Sequence, residues 1–237
     1  MQRKHDFVPG EFYHIYNRGN SKQNIFLNDY DRERFVKSLY LSNSTKNINF
    51  KDDIVRANID AWDFDRDEQI VSIGAWVLMP NHFHIYLTPL FPKTVVGKNW
   101  KNKSDGEKAV STFVKKLLTS YSKYFNKNNE RTGGLFEGPF KSIHIEKDEQ
   151  AKYLFSYIHL NPIKLIDSNW KENGIQNKKE ALNFLNNYKW SSYQDHKGLR
   201  RPESKIISMQ DFPEYFSNIS DFDDEILDWL SFQEEFI

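Results

Sequence analysis

Hydrophobic positions alternate with polar ones in some stretches of this chain and recur at helical spacing in others, and the switch between the two periods outlines its elements. Residues 11 to 17 (EFYHIYN) alternate and end at Arg18-Gly19, the pattern of a strand entering a turn. Asp29 to Leu41 puts Phe35, Leu39 and Tyr40 on one face, with Asp29 available as N-cap, and reads as a helix. Two β-rich runs between Ile70 and Leu87, IVSIGAWVL and HFHIYL, flank Met79-Pro80-Asn81. They predict a hairpin whose second strand is central and largely buried. Ser104 to Asn126 repeats apolar residues at Val110, Phe113, Val114, Leu117, Leu118, Tyr121 and Phe125, a long helix that Gly133-Gly134 brings to an end. PFKSIHIE from Pro139 is a further strand. Asp148 to His159 is a helix that Asn161-Pro162 stops, because the residue before a proline is pushed out of the helical region. Residues 44 to 68 are polar and carry no clear period. The order strand, helix, strand, strand, helix, strand, helix predicts an α+β sandwich, an antiparallel sheet with helices on one face.

Composition narrows the chemistry. With 237 residues, 38% of them hydrophobic, the chain can bury one sizeable core and a small appendage. The absence of cysteine excludes disulfides, thiolate metal sites and cysteine nucleophiles, so a metal must sit on His, carboxylate or amide ligands. The N-terminus lacks the apolar stretch of a signal peptide, and no later run approaches the ~18 apolar residues of a membrane span. The expectation is a cytoplasmic protein with no membrane partner. The formal net charge is zero, but the charges are segregated. Residues 98 to 131 carry nine Lys or Arg against Asp105, Glu107 and Glu130, whereas residues 203 to 237 carry ten acids against Lys205. The first stretch suits phosphate, with Lys115, Lys116, Lys123, Lys127 and Arg131 as contacts, and the second should avoid it.

His82-Phe83-His84 is the first constellation with chemistry. On a strand, alternate side chains share a face and lie roughly 6 to 7 Å apart, so two imidazoles there can chelate one ion while Phe83 points into the core. Tyr157 and Asn161 form the second, four residues apart and on one helix face if the last turn persists to the proline. A tyrosine is a poor nucleophile while protonated, with an unperturbed pKa of about 10, and needs a cation or base nearby.

Five blocks carry a family resemblance: YHIYNRGNSKQNIF (13 to 26), GAWVLMPNHFHIYLTP (74 to 89), YSKYFNKNNERTGGLFEGPFKS (121 to 142), YLFSYIHLNPIK (153 to 164) and YKWSSYQDHKG (188 to 198). In this order they resemble the single-tyrosine HUH transposases, and most closely the REP-associated tyrosine transposases. The resemblance implies a ferredoxin-like α+β fold over residues 1 to 200, with 44 to 68 as an insertion and 201 to 237 as an acidic extension. It implies a divalent ion, Mg²⁺ or Mn²⁺, on His82, His84 and Asn161, and Tyr157 as the nucleophile that cleaves and rejoins single-stranded or hairpin DNA through a 5′-phosphotyrosine. Some members carry glutamine where Asn161 stands, and related enzymes work as homodimers or as monomers. A hairpin-binding or structured-RNA-binding relative without cleavage is the alternative.

Other residues compete for these roles. Tyr121 continues the apolar stripe of its helix and reads as core, and Tyr124 as surface. His14, His144 and His159 are each minor candidates as ligands: His144 is on a strand near the DNA-contact candidate Lys141 and within reach of phosphate, and His159, two residues from Tyr157, faces away from it on a helix.

Overall fold

Four strands, β1 (Phe12–Arg18), β2 (Val71–Met79), β3 (His82–Pro89) and β4 (Lys141–Ile145), form one antiparallel sheet in the order β2-β3-β1-β4. The computed structural model describes residues 6–90, 103–214 and 222–228. Residues 98–102 of the basic stretch, and the acidic positions at 221 and 229–237, lie outside them. Helix α1 (Asp29–Ser42) follows β1, α2 (Lys103–Asn128) precedes β4, and α3 (Asp148–Leu160) follows it. The architecture is α+β, with a central β3 as the pattern predicts.

The sheet separates two cores. On one side Tyr13, Ile15, Ile73, Trp76, Leu78, Phe83, Ile85 and Leu87 pack against Phe35, Val36 and Leu39 of α1 and Val110, Phe113, Leu117 and Tyr121 of α2. On the other, Ala75, Val77, Met79 and Tyr86 pack against Ala151, Leu154, Phe155 and Ile158 of α3, spaced as one helical stripe. Helices therefore cover both faces, not one. The helical period of α3 announced an apolar face, but nothing in a period states which side of a sheet it covers. Strict alternation would also put Ile73 on the wrong side from Trp76. A bulge between Ile73 and Ala75 corrects the parity, and Gly74 sits in it because a Cβ there would lie 2.8 Å from the Phe212 ring.

Local chemistry moves two other boundaries. Asn28, not Asp29, caps α1, its side chain accepting from Asp31 N at 3.0 Å. Asn161 keeps helical dihedrals (φ −51, ψ −39) although Pro162 follows, and the chain continues as a 3₁₀ turn over Asn161–Leu165. Proline is tolerated in a first turn, where its missing N–H is not needed. Residues 44 to 68 contribute a π-helical turn at Phe50–Arg56 and a 3₁₀ turn at Ala61–Asp63.

The later part of the chain closes the outer edge of β2. Short helices α4 (Trp170–Asn173), α5 (Lys178–Asn187), α6 (Tyr193–His196) and α7 (Phe222–Asp228) lie beyond α3. Leu78 N donates to Trp190 O at 2.9 Å, Ser192 N to Trp76 O at 2.9 Å, and Ser208 N to Ile73 O at 2.9 Å. The strand edge is thus paired, which removes a template for association. Two histidines sit under this closure. His159 bonds the Phe155 carbonyl through Nδ1 and the Ser192 hydroxyl through Nε2, both at 2.9 Å, and His196 Nε2 lies 2.9 Å from the Gly74 carbonyl.

Burial keeps both rings neutral, pulling His196 down to about 4 and His159 well below the ordinary imidazole value. The unfolded chain takes up these protons near pH 6.5 and the folded chain does not, so stability is full above pH 6.5 and falls as the pH drops toward 4. His196 alone costs roughly 2 kcal/mol between pH 7 and 5. Urea titrations at pH 7.5, 6.0 and 5.0 should show falling midpoints, and a constant midpoint would show that neither ring is held neutral.

Candidate active site

The period of two along β3 sends Phe83, fully buried, into the α1 and α2 core and turns His82 and His84 to the α3 side. Antiparallel pairing sets their neighbours. Tyr16 of β1 and Val77 of β2 flank His84, while Arg18 and Met79 flank His82. On α3 the stripe of Ala151, Leu154, Phe155 and Ile158 is spent on the core, which leaves Tyr157 beside the histidines. Its ring meets the His84 ring edge-on with centroids 5.4 Å apart.

Because Asn161 stays helical, its N–H still bonds the Tyr157 carbonyl and its side chain stands one turn further on the same face. Its amide acts on both neighbours, raising the pKa of His82 and lowering that of Tyr157. His82, His84, Tyr157 and Asn161 are therefore brought together, two residues from a strand face and two from a helix face. Lys141 joins them at the rim of a cleft of about 520 Å³, with Arg18, Lys22 and Lys164. Glu137, the one carboxylate lining this cleft among the described residues, is paired with Arg18.

Burial dominates the electrostatics. It draws His82 down to about 4, with Lys164 adding to the effect and Asn161 opposing it. His84 is held well below its usual value by burial and then by His14 and His82. Both imidazoles are neutral, with lone pairs free for a ligand. Tyr157 is pushed up to about 12 by burial against the pull of Asn161, and Lys171 Nζ stands 3.9 Å from its ring centre.

The largest surprise is His14. It pairs with Tyr86 on β3, beside the partners Tyr16 and His84, and its Nε2 lies 2.8 Å from His84 Nδ1. It too is buried and neutral, with a pKa drawn down to about 3. With the shared proton on His84 Nδ1, the opposite nitrogen of His84 is an open lone pair. The alternation of His14 and Tyr16 in β1 was readable, but not the pairing of β1 with β3, which are far apart in sequence.

A metal can be tested against these donors. Among the described residues, no group of three or more His, Cys, Asp or Glu is placed to hold an ion. The cleft instead offers two imidazoles, with the Asn161 amide beside His82. His84 Nε2 and Asn161 Oδ1 are both buried without a hydrogen-bond partner in good geometry, a cost of about 1–3 kcal/mol for each that a cation would offset. The donor set fits a divalent ion.

The remaining candidates lie elsewhere. Tyr121 is buried and donates to the Ile25 carbonyl, and Tyr124 bonds Asp31 at 3.1 Å. His144 lies between two carboxylates, Glu11 at 3.0 Å and Glu146 at 3.4 Å. Lys115, Lys116, Lys123 and Lys127 are on α2, across the sheet from the cleft. Arg131 follows the end of that helix, its guanidinium 5.6 Å from the Phe125 ring.

No family model and no curated protein matches the chain. Among solved structures the chain is similar to that of a REP-associated tyrosine transposase bound to a REP hairpin, with a TM-score of 0.46 and 12% identity over 86% of this chain and 90% of that one. No helix among the described residues is long and apolar enough to cross a membrane.

Replacing His14 by Ala should leave both nitrogens of a buried His84 without partners and lower stability by about 1–3 kcal/mol, before any cavity cost. His14→Asn, which keeps a polar partner, should lose less. Chemical denaturation of the two variants checks this, and equal midpoints would remove the hydrogen bond from the account.

Proposed function

We propose that this protein cleaves and rejoins single-stranded or hairpin DNA by transesterification, with Tyr157 as nucleophile. One observation carries the reading. A half-buried tyrosine and two neutral imidazoles, with the Asn161 amide oxygen beside them, meet at a cleft lined by Arg18, Lys22, Lys141 and Lys164. The order β-α-β-β-α-β and the strand order β2-β3-β1-β4 support reading the sheet and its first two long helices as a ferredoxin-like sandwich.

Each residue has a stated task. The cleft cations bind the phosphate backbone and hold the scissile group in line with Tyr157 Oη. The phenol oxygen attacks phosphorus as its proton departs, the bond from phosphorus to the 3′-oxygen breaks, and that oxygen leaves as a 3′-hydroxyl after taking up a proton. The 5′-phosphotyrosine keeps the bond energy, so a 3′-hydroxyl can reverse the step and join strands without ATP. A phenol with a pKa near 12 is by itself unfavourable for this work. Positive charge close to the phenol oxygen favours loss of its proton, and a bound divalent ion would supply it. His82, His84 and Asn161 would hold Mg²⁺ or Mn²⁺, which supplies charge stabilisation at the phosphate. Imidazoles favour manganese over magnesium in affinity.

The raised tyrosine pKa also gives a second reading its footing, a hairpin-binding or structured-RNA-binding protein that does not cleave. Labelled DNA and RNA hairpins with single-stranded flanks separate the two on denaturing gels. The expected result is a covalent protein adduct on DNA that disappears in Tyr157→Phe and persists in Tyr121→Phe and Tyr124→Phe, with hairpin affinity of Tyr157→Phe within a few fold of wild type. The double variant His82→Ala, His84→Ala should lose metal-dependent cleavage. Wild-type protein that binds the hairpin but forms no adduct with Mg²⁺ or Mn²⁺ would favour the binding reading.

A further inference from the structure

The polar stretch after α1 and the basic face of α2 meet in one place. Between α1, residues 47–55 and α2 runs a groove of about 1130 Å³, more than twice the volume of the cleft at His84 and above the ~300–1,000 Å³ of ordinary small-molecule sites. It lies on the outer side of the α1 and α2 layer, whereas the histidines and Tyr157 are on the far face of the sheet.

Its lining is one-signed. Arg34, Lys51, Lys115, Lys116, Lys123 and Lys127 contribute six cations, and among the described residues no Asp or Glu lines it. Lys115, Lys123 and Lys127 are exposed and follow one another along the flank of α2 over about 18 Å, at 1.5 Å per residue. Thr119, Ser120 and Asn128 lie among them as neutral donors. A row this long matches a polymeric anion better than a single phosphate.

Two further features make the groove a built site. Lys116 does not point at solvent, since its Nζ donates to the Ser44 carbonyl at 2.8 Å and the Lys46 carbonyl at 2.7 Å, tying the outer wall to α2. Arg34 is half-buried, stacked 3.4 Å from the Phe50 ring centre, with its N–H groups on the hydroxyls of Ser38 and Ser120 rather than on a carboxylate. A half-buried guanidinium with no carboxylate partner among the described residues favours an incoming anion. Phe50 and Val55, the latter 63% exposed, provide apolar contact area for sugar or base.

We propose that this groove binds the phosphate backbone of a DNA strand, so that the protein grips its substrate on the face opposite to the one where Tyr157 acts. The choice of DNA as the polyanion rests on the transesterification reading.

The test uses the full chain and a fluorescent DNA hairpin with single-stranded flanks, followed by anisotropy across a salt series. Lys115→Gln, Lys123→Gln and Lys127→Gln are combined, with Lys116 left to hold the wall. Affinity at about 0.1 M salt should fall at least tenfold, and the slope of log K against log salt should flatten by about two, the value for three contacts to a single strand. The thermal midpoint should match wild type, because these side chains are exposed. Adduct formation at saturating DNA should survive. Unchanged affinity and slope, with adduct still formed by wild type, would overturn the groove and leave the tyrosine chemistry standing. Loss of affinity in the triple variant while wild type forms no adduct would uphold the groove and remove the tyrosine chemistry. Displacement of the hairpin by polyglutamate as effective as by unlabelled hairpin would show an acidic-protein site instead and overturn the assignment to DNA.

Discussion

Two imidazoles on the central strand of a sheet that is buried on both faces set the terms for everything around them. Charged, they would carry a desolvation cost that the one carboxylate lining the cleft among the described residues, Glu137 on Arg18, does not repay, so the fold keeps them neutral. Neutral, they still need partners. β1 supplies His14 to one nitrogen of His84, Asn81 supplies its side-chain oxygen to Nδ1 of His82 at 2.6 Å, and the last turn of α3 brings Asn161 alongside. The position of Tyr157 follows from that arrangement, because the turn that presents Asn161 presents the tyrosine one step earlier.

The two faces of the sheet solve different problems. The α1 and α2 side is an aromatic core in which Phe26, Phe35, Phe83 and Tyr121 interlock at ring distances of 5.0–5.4 Å. Such packing gives the sheet rigidity. The α3 side trades part of that density for polar atoms, and two of them, His84 Nε2 and Asn161 Oδ1, are left unsatisfied. Incomplete satisfaction at a cleft, backed by a dense core one strand-thickness away, is the arrangement expected where binding energy is to be collected from a ligand.

Much of this was legible in the sequence, and the gaps have physical causes. The hairpin, the long helix and the pairing of Tyr157 with Asn161 follow from periods of two and 3.6 and from helical spacing, all local quantities. His14 stands out only as a minor candidate in the sequence, because its importance comes from the pairing of β1 with β3, a contact between positions 70 residues apart that no local pattern encodes. The side of the sheet taken by α3 was missed for the same reason. The parity change at Gly74 was invisible because a glycine in an apolar run does not announce a bulge. Lys116 shows the limit of reading charge runs: its neighbours along α2 are solvated, while it spends its ammonium on two main-chain carbonyls.

The closure of β2 by residues 190–208 has a consequence for how the chain is made. β2 needs partners on both sides, and those on its outer edge come from the far end of the sequence, with Ser192 lying 116 residues beyond Trp76. While the ribosome is still producing the intervening segment, an apolar strand with an open hydrogen-bonding edge stands exposed to other nascent chains. The hairpin with β3 can form early and protect only its inner side. The vulnerable interval ends when Trp190 to Ser192 emerge and dock, so their synthesis is also the step that shields the β2 edge from neighbouring chains.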